Sequence, residues 1–596
     1  MKNDKESSGS GHIPDNTLNV QRTSSDSYAN SQGSYQSSYE ESYMPKSRVR
    51  RFVDLFKPFD YDDIPFDTSQ LNPIERSIMA SSAHPLARKL KSRHLQMIAI
   101  GGAIGTGLFV GSGYALALGG PGSLVIGYFL VGYGIFTMVM ALGELSVQFP
   151  VSGSFNSHFS RFFDPSLGFA LGLMYAFSWL ISFPSELIAC ALTVQYWTTT
   201  INPSVWVAIV LLMIVVINLF GVKGYGEVEF VLSIIKVLAV VGFIIVGICI
   251  TCGVGDQGFI GGKYWHNPGS FNHGLKGVCS VFILAAFSFG GCELVALAAA
   301  ETENPRISLP RATKQVFWRI FVFYVLTAIV VGCLVPYTDE RLLNNLGVTA
   351  SPFVLAIEAG GIKVLPHIMN AVIIVAVVSI GNASVYGCSR TLASLAVQGL
   401  IPSHFGYIDR MGRPLVAVGF TCLIGCLGFL ASYEKQDEVF IWFFSICSLS
   451  SFFIWIFICA THIRWRMALR CQGRSLDEVI FASPLGIWGS ISGIVMFILI
   501  VVSLIWVSIW PLSNGGKASV TTFWQNCMSL PILILLWAGH KTLRGSWSYL
   551  WIRLEFVDLD TGRREIDVEK LKQEIADERQ GRKEMPIWRR LYRFWC

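Results

Sequence analysis

The chain has 596 residues, of which 52% are hydrophobic and only 14% are charged. Its mean hydropathy is +0.50, whereas a soluble globular protein carries about 25% charged residues. This balance excludes a soluble protein and predicts a chain that lies in a membrane over most of its length. The formal net charge of +6 is spread along the sequence without a basic block, so no nucleic-acid partner is indicated.

Two stretches depart from this apolar composition. Residues 1–85 are rich in Ser, Tyr, Asn and Gly, and such a stretch cannot bury enough apolar surface to offset its ordering entropy. We predict a disordered N-terminal tail over 1–85, a membrane domain over 86–542 and a charged C-terminal tail over 543–596. The first residues lack the apolar core of a signal peptide, so we expect the first membrane helix to direct insertion.

Apolar stretches long enough to cross a bilayer recur twelve times, and each crossing needs about 20 helical residues. We predict transmembrane helices at about 95–118, 122–147, 167–195, 205–221, 229–252, 277–300, 317–336, 364–398, 414–432, 439–461, 484–510 and 519–541. An even number of spans places both termini on the same side of the membrane.

The distribution of Lys and Arg predicts how these spans are oriented, since cytoplasmic loops are enriched in both. The loops after spans six, eight and ten are basic, whereas the alternate loops hold few positive charges. The basic side chains are Arg306, Arg311, Lys314, Arg319, Arg390, Arg410, Arg413, Arg464, Arg466, Arg470 and Arg474. We therefore predict that both termini are cytoplasmic and that the loops 253–276 and 337–363 face the outside.

Span one concentrates glycine in the stretch IAIGGAIGTGLFVGSG, residues 98–113. Glycine in a helix interior costs roughly 1 kcal/mol relative to alanine, so the cluster either lets helices pack closely or marks an unwound segment. We favour unwinding at 101–107, because non-helical backbone at membrane depth is tolerated where it lines a cavity. Free N–H groups and the start of the following helix would then bind a carboxylate.

Span six contains a second candidate break. Gly290 and Gly291 interrupt its apolar sequence, and Glu293 follows them. The two breaks occupy corresponding positions if spans one to five and six to ten are repeats, and paired interrupted helices point to a transporter's binding site. We therefore predict a substrate site between the two breaks.

Ionisable residues are rare within the spans, and such residues mark functional sites. Lys236 in span five is interpreted as a proton carrier or as a permanent partner of Glu293 or of a broken-helix carbonyl. Glu186 in span three and Glu293 are each predicted to carry a proton, pair with Lys236 or meet a substrate amine. Glu144, near the cytoplasmic end of span two, is interpreted as structural.

No motif indicates an enzyme, a cofactor or a metal site. The stretch GTGLFVG lacks the soluble βαβ context of a dinucleotide fingerprint, and FIGGKY lacks the first glycine of a phosphate-binding loop. The cysteines are scattered singly, without the spacing of zinc ligands. We expect transport driven by a gradient rather than by ATP hydrolysis.

Longer motifs resemble those of the fungal amino-acid permeases of the amino acid–polyamine–organocation superfamily. They are GGAIGTGLFVGSG, INLFGVKGYGEVEF, GGKYWHNPGSF, KGVCSVFILAAFSFGGCELVALAAAETENPR, QVFWRI, SRTLASLAVQG, DRMGRPLVAV and the C-terminal RFWC. The resemblance covers about residues 85–596 and is strongest to broad-range members. It implies an all-α integral membrane fold with 12 transmembrane helices, in a leucine-transporter-like 5+5 inverted repeat with helices 1 and 6 broken and two peripheral helices.

The resemblance also implies proton-driven uptake of L-amino acids across the plasma membrane. It assigns the substrate carboxylate to Ala103, Ile104, Gly105, Thr106 and Gly107. It assigns the substrate amine to carbonyls of Phe287, Ser288, Phe289 and Gly290, with an aromatic side chain there acting as a lid. Lys236 matches a lysine that, in proton-coupled relatives, stands where sodium binds in sodium-coupled ones. Small residues at Gly290 and Gly291 indicate a roomy pocket and hence a broad range.

The tails carry two further expectations. Cys596 lies beside aromatic residues and the basic run WRRLYR, a setting that suits S-acylation and a membrane-surface anchor. By resemblance, Lys2, Lys5 and Lys46 are expected to accept ubiquitin, and the C-terminal segment to influence trafficking. The expected partners are therefore amino acids, protons, the lipid bilayer and the ubiquitination and trafficking machinery.

Other functions remain open at this point. A transporter-like sensor would bind amino acids and signal without transport, although such sensors tend to have longer cytoplasmic extensions. A permease restricted to neutral or basic amino acids would share the same motifs. An exchanger without proton coupling would have no need of Lys236.

Overall fold

Helices dominate the described part of the chain. The computed structural model describes residues 56–58, 90–151, 153–302, 305–344, 351–433, 436–515, 517–561 and 586. Within these ranges the extended pairings are isolated bridges, such as Leu90 with Thr302. From Pro58 onward the described residues belong to one compact unit.

The first half of the chain contains eight helices, which we number in chain order. They are α1 (Ser92–Gly101), α2 (Ser112–Gln148), α3 (Phe155–Phe162), α4 (Pro165–Val194), α5 (Pro203–Leu219), α6 (Gly221–Thr251), α7 (Gly274–Phe289) and α8 (Leu294–Ala299). A π-helical segment, Gly107–Gly111, leads directly into α2.

The second half contains ten more helices within the described ranges. They are α9 (Pro305–Arg319), α10 (Thr327–Leu334), α11 (Glu340–Asn344), α12 (Pro352–Ala359), α13 (Leu365–Val397), α14 (Leu415–Gly425), α15 (Gln436–Cys471), α16 (Gly486–Ile509), α17 (Val520–Cys527) and α18 (Ser529–Leu543). A π-helical segment, Ile320–Leu326, joins α9 to α10, and a 3₁₀ segment, Cys426–Ser432, continues α14.

Length and composition allow many of these helices to cross a membrane. In the described part of the chain, nine helical stretches qualify, or ten if α17 and α18, which meet at 54°, form one span. Large apolar side chains also point outward: Leu212, Leu238 and Leu535 are 65%, 66% and 71% exposed. Because water disfavours a continuous apolar surface of this kind, the chain is a multi-pass membrane protein.

A glycine–proline pair turns the chain between the first two predicted spans. Within α2, Gly120 has φ +79° and ψ 171°, so the helix is two segments joined at this residue. A Cβ there would lie 2.9 Å from the backbone N of Asn272, and the positive φ favours glycine. Pro121 then begins the next segment with a φ already suited to a helix.

Burial separates central helices from peripheral ones. In the most apolar window of Gly274–Ala299, which covers α7 and α8, 83% of the residues are buried. The corresponding share is 33% in both Gly221–Thr251 and Gly486–Ile509, which are α6 and α16. The interrupted sixth span therefore runs through the middle of the molecule. In α6 and α16, by contrast, most residues of the most apolar window lie at the surface of the protein.

Two stretches predicted as loops are helical in the structure. The basic stretch 301–319 forms α9 from Pro305 onward and continues into span seven. Similarly, α15 extends to Cys471, so that Arg464 and Arg466 lie on a helix. Hydropathy indicates only the apolar part of a helix, whereas these extensions are polar and stand at the ends of spans.

The described part of the C-terminal tail packs against α3 and the end of α15. Arg161 of α3 donates from Nε to the carbonyl oxygen of Asp558 at 2.6 Å and lies 3.2 Å from its carboxylate. Arg464 of α15 donates to the carbonyl oxygens of Phe162, at 2.7 Å, and Ile552. These arginines fix the segment after α18 to the loop between the second and third predicted spans.

Candidate functional site

The first helix break lies where the glycine cluster predicts it. α1 ends at Gly101, and helical structure resumes at Gly107. A Cβ on Gly107 would lie 2.5 Å from Cα and 2.7 Å from N of Ser288, and one on Gly105 would overlap the side chain of Ile380. The glycines therefore serve close backbone approach as well as unwinding.

The second break touches the first. α7 ends at Phe289 and α8 begins at Leu294. Between them Gly291 has φ +94°, a conformation that favours glycine, and a Cβ on it would overlap the carbonyl oxygen of Gly102. The interrupted segments of the two spans are thus in direct backbone contact.

A small cavity lies at this contact. Its volume is about 40 Å³, which is space for about three water molecules and far below the 300 Å³ or more of a typical ligand pocket. Six of the nine predicted substrate-binding residues line it: Ala103, Gly105, Thr106, Gly107, Phe287 and Gly290. Glu186 and Glu293 line it too. The space between the breaks is therefore smaller than a substrate.

Glu186 reaches this cavity from α4. It is 1% exposed, and one oxygen of its carboxylate accepts a hydrogen bond from the hydroxyl of Thr106. Its other oxygen, Oε1, has no hydrogen-bond partner among the described residues. An unpaired acceptor facing a polar cavity suits either a proton or the ammonium of a bound ligand.

Lys236 lies behind the first break instead of lining the cavity. Its side chain is fully buried in α6, and Nζ donates to the carbonyl oxygen of Gly101 at 2.5 Å and to the hydroxyl of Ser379 at 2.6 Å. This is the contact with a broken-helix carbonyl that the sequence analysis considered. The structure does not pair Lys236 with Glu293.

The carboxylate nearest to Lys236 is Glu229, which sequence reasoning did not single out. Its Oε1 is 3.7 Å from Nζ of Lys236 and accepts hydrogen bonds from the hydroxyls of Ser379 at 2.5 Å and Ser233 at 3.3 Å. Glu229 is fully buried and stands seven positions before Lys236 on the same helix. Such spacing places two side chains on one helix face, so the stretch GEVEFVLSIIK carried a signal for this pair.

Glu293 has a different environment on the other side of the cavity. It is 3% exposed and accepts a hydrogen bond from the indole N–H of Trp455 in α15 at 3.3 Å. It therefore links the end of the second break to the tenth predicted span.

The remaining predicted substrate-binding residues are buried, and their side chains lie outside the cavity lining. Ser288 bonds the hydroxyl of Tyr128 at 2.8 Å, and the ring of Phe289 packs on Tyr324 with centroids 4.1 Å apart. Ile104 is 1% exposed.

A larger cavity opens next to the small one. Its volume is about 470 Å³, within the range of ligand-binding pockets. Thr106 lines both cavities, and the rings of Phe287, in the small one, and Phe444, in the large one, pack with centroids 4.2 Å apart. This aromatic pair separates the large cavity from the site between the breaks.

The opposite end of the break region is closed by polar contacts. Glu301, just after α8, accepts hydrogen bonds from the hydroxyl of Tyr386 at 2.9 Å and from Nε of Arg390 at 3.1 Å. The ring of Tyr225 stacks on Tyr386 with centroids 4.3 Å apart, and the carbonyl of Glu301 accepts from the N–H of Leu90 at 3.1 Å. These contacts join the start of α1 to α6, α8 and α13.

Glu144 forms part of a buried polar cluster at the end of α2. Its two carboxylate oxygens accept from Arg466 at 2.9 and 2.8 Å, and one also accepts from the backbone N–H of Ser483 at 2.6 Å. Glu144 thus joins the ends of the second, tenth and eleventh predicted spans through buried partners. Among the described residues, no group of three or more His, Cys, Asp or Glu could hold a metal ion.

The chain resembles known proteins over most of its length. The family model "amino acid permease" matches residues 94–551. The chain is 67% identical over 556 residues to the S-adenosylmethionine permease GAP4 of Candida albicans, covering 93% of this chain and 91% of that protein. It is 48% identical over 564 residues to the general amino-acid permease GAP1 of Saccharomyces cerevisiae, covering 92% of each.

Paired broken helices with buried charges at their contact define a membrane transporter. The chain belongs to the amino acid permease family. The family resemblance seen in its motifs is thereby confirmed.

The predicted lipidation site, Cys596, lies outside the described residues, as do Lys2, Lys5 and Lys46.

Proposed function

We propose that this protein is a proton-coupled permease that imports L-amino acids of broad range across the plasma membrane. One observation carries the proposal: a fully buried lysine, Lys236, bonds the last carbonyl of the helix before the first break. This hydrogen bond links a titratable side chain to the backbone just before the segment that would bind the substrate. Buried ionisable residues of this kind in membrane proteins mark proton and ion pathways.

The substrate's shared groups are assigned to the two breaks. The N–H groups of Ala103 and Ile104 donate to the carbonyl oxygen of Ile100, so the N–H groups over 105–107 and the start of the resumed helix would provide the partial positive charge for the carboxylate. The hydroxyl of Thr106 adds a donor. Freed carbonyls over 287–290 would accept from the ammonium. Since every amino acid carries both groups, this recognition would not depend on the side chain of the substrate. The small residues Gly290 and Gly291 would leave space for substrate side chains of different size.

Proton transfer is assigned to three buried residues, Lys236, Glu186 and Glu293, and to the newly found Glu229. Lys236 and Glu229 share Ser379 as a hydrogen-bond partner. Loss of a proton from Lys236 would remove the ionic attraction to Glu229 and weaken the hold on the Gly101 carbonyl. This would loosen the end of α1 and allow the broken helix to tilt.

The architecture proposed is twelve spans with a 5+5 inverted repeat. The two segments of α2 divided at Gly120 supply parts of spans one and two, α5 serves as a short fourth span, and α17 with α18 forms the twelfth. Spans eleven and twelve would be peripheral, and the two tails, 1–85 and 543–596, would be cytoplasmic. The tails would contact the trafficking and ubiquitination machinery, and Cys596 would be acylated.

The conformation supports alternating access. The large cavity lies on one side of the Phe287–Phe444 pair, while Glu301 and Arg390 close the other end. With the tails in the cytoplasm, the large cavity faces the outside. Transport would then require separation of Phe287 from Phe444 for entry, followed by separation of Glu301 from Arg390 for release.

A second substrate is favoured by the comparisons. The relative at 67% identity is an S-adenosylmethionine permease, and a second such permease, SAM3 of Saccharomyces cerevisiae, is 48% identical over 561 residues and 92% of this chain. S-adenosylmethionine carries the α-carboxylate and ammonium of an amino acid, so the same breaks would bind it. Its larger side chain would extend past Phe287 into the 470 Å³ cavity.

The test is uptake into permease-deficient yeast that express the chain. A panel of radiolabelled amino acids and S-adenosylmethionine would be measured with and without a protonophore. Uptake of many amino acids that collapses with the protonophore supports the proposal. Uptake of S-adenosylmethionine alone, or of one amino-acid class, contradicts the broad range. Binding without uptake would make the protein a sensor.

A further inference from the structure

A tyrosine from outside the two broken helices holds their interrupted segments together. Tyr324 lies on the π-helical segment Ile320–Leu326. Its hydroxyl oxygen is 2.9 Å from the carbonyl oxygen of Ala103 and 3.0 Å from that of Ser288. The side chain is 2% exposed, so bulk water does not compete for these bonds. One hydroxyl therefore contacts the backbone of both breaks.

The ring of Tyr324 is fixed by aromatic neighbours. Its centroid lies 4.1 Å from that of Phe289 and 6.0 Å from that of Tyr128. Tyr128 carries a hydroxyl in the same cluster, but that hydroxyl bonds the side-chain oxygen of Ser288 at 2.8 Å instead of a backbone carbonyl. The two tyrosines therefore differ in their hydrogen bonds: the Tyr324 hydroxyl contacts the backbone of both breaks, whereas the Tyr128 hydroxyl contacts a side chain.

Two carbonyls share a single hydrogen at this point. A phenol has one O–H to donate, while each carbonyl oxygen has two lone pairs. The two oxygens would repel each other without the shared donor, so the hydroxyl holds the two segments together at this point. A hydrogen bond of this kind fixes the direction of both carbonyls before a ligand arrives.

We propose that Tyr324 is a positioning residue for the substrate site: by bonding the Ala103 and Ser288 carbonyls, its hydroxyl fixes the two interrupted segments against each other in the arrangement that binds the amino and carboxyl groups of the substrate. The inference rests on the proposed function and adds to it a residue from span seven. Because every amino acid has the same amino and carboxyl groups, the contribution of Tyr324 is the same for all substrates.

The experiment compares Tyr324→Phe with Tyr128→Phe in the full chain, expressed in permease-deficient yeast with surface protein quantified. Initial uptake of three transported amino acids with side chains of different size gives KM and maximal rate. For Tyr324→Phe we expect KM to rise about tenfold for all three, with the maximal rate per molecule within about twofold of wild type. For Tyr128→Phe we expect an unchanged KM.

Other results overturn the inference. An unchanged KM with a lower maximal rate gives Tyr324 a structural role only, and a KM change that depends on side-chain size means that the pocket was reshaped. If Tyr324→Phe does not reach the surface, Tyr324→His is measured instead, since its ring N–H can donate to one carbonyl. A severalfold rise in KM supports the inference and an unchanged KM rejects it. If the wild type takes up no amino acid, the proposed function fails, and the positioning role fails with it.

Discussion

The ammonium of Lys236 donates to the carbonyl oxygen of Gly101 at 2.5 Å, across the contact between α6 and the end of α1. Gly101 lacks a side chain because a Cβ there would overlap the side chains of Glu229 and Ser233. The lysine, the glutamate and the helix break therefore occupy one site. This arrangement supports the proposed connection between proton binding at Lys236 and the position of the first broken helix.

Substitution of Lys236 by methionine is expected to abolish concentrative uptake. Met has similar length but no donor, so the Gly101 carbonyl, Ser379 and Glu229 would lose the ammonium they face. Removal of one partner from a buried charged pair is strongly unfavourable. The measurement is amino-acid accumulation above the external concentration. Lys223→Met, at an exposed position of the same helix, is the matched control and should accumulate normally. Accumulation by the Lys236 variant would contradict the coupling role.

Glu229 and Glu227 provide a second matched pair. Glu229→Gln removes the buried carboxylate beside Lys236, whereas Glu227 is half exposed and pairs with Arg93 at 2.9 Å on the surface. We expect Glu229→Gln to reduce uptake at least about tenfold and to alter its dependence on external pH, since the charge balance around Lys236 changes. Glu227→Gln should change neither, because exposed ion pairs contribute little. Equal effects of both substitutions would reject the assignment.

A third comparison tests the contact between the breaks. A Cβ at Gly107 would lie 2.5 Å from Cα of Ser288, a backbone atom that cannot move aside, whereas the nearest atom to a Cβ at Gly111 is 3.9 Å away. We expect Gly107→Ala to reduce uptake about 100-fold at equal surface abundance, because small displacements at a binding site have large effects. Gly111→Ala should retain uptake. Normal uptake by both variants would show that the breaks need no direct contact.

The pH dependence of stability should come partly from His158 in α3, the short helix between two spans. Burial, helped by the positive charge of Arg161, lowers the pKa of His158 from 6.5 to about 3. The unfolded chain therefore binds a proton between pH 6.5 and 3 that the folded protein does not bind, and stability falls with acidification. Between pH 6.5 and 4.5 the loss is about 2 kcal/mol.

His158→Phe tests this effect, since the ring at this position packs against Phe149 and Phe162. The purified variant should lose less thermal stability than wild type over the same pH interval. Parallel pH profiles of the midpoint temperature would show that His158 does not contribute.

The sequence predicts the positions of the breaks because a cluster of glycines in an apolar helix indicates either close helix packing or unwinding. Sequence reasoning singled out Lys236 and Glu186 because charges within apolar spans are rare. It missed Glu229, since GEVEF stands near the start of a span and resembles a polar helix end. It also missed Tyr324, because a tyrosine in an apolar span carries no signal until the folded chain brings Ala103 and Ser288 to its hydroxyl.

The partners of the buried charges likewise required the structure. Sequence alone left Lys236 with several candidate carboxylates, and only packing of α6 against α1 and α13 selects Glu229 and Ser379. Hydropathy does not predict α9, because the sequence of this helix is too polar. Distances between side chains on different spans depend on tertiary packing, and no local sequence pattern predicts them.

The most direct test of proton-coupled transport uses the purified chain in proteoliposomes that contain a pH-sensitive dye. Addition of a transported amino acid outside the vesicles, without an imposed gradient, should acidify the lumen while the labelled amino acid enters. Lys236→Met should abolish the acidification. Entry of the amino acid with no change in luminal pH would contradict proton coupling and make the protein a facilitator or exchanger.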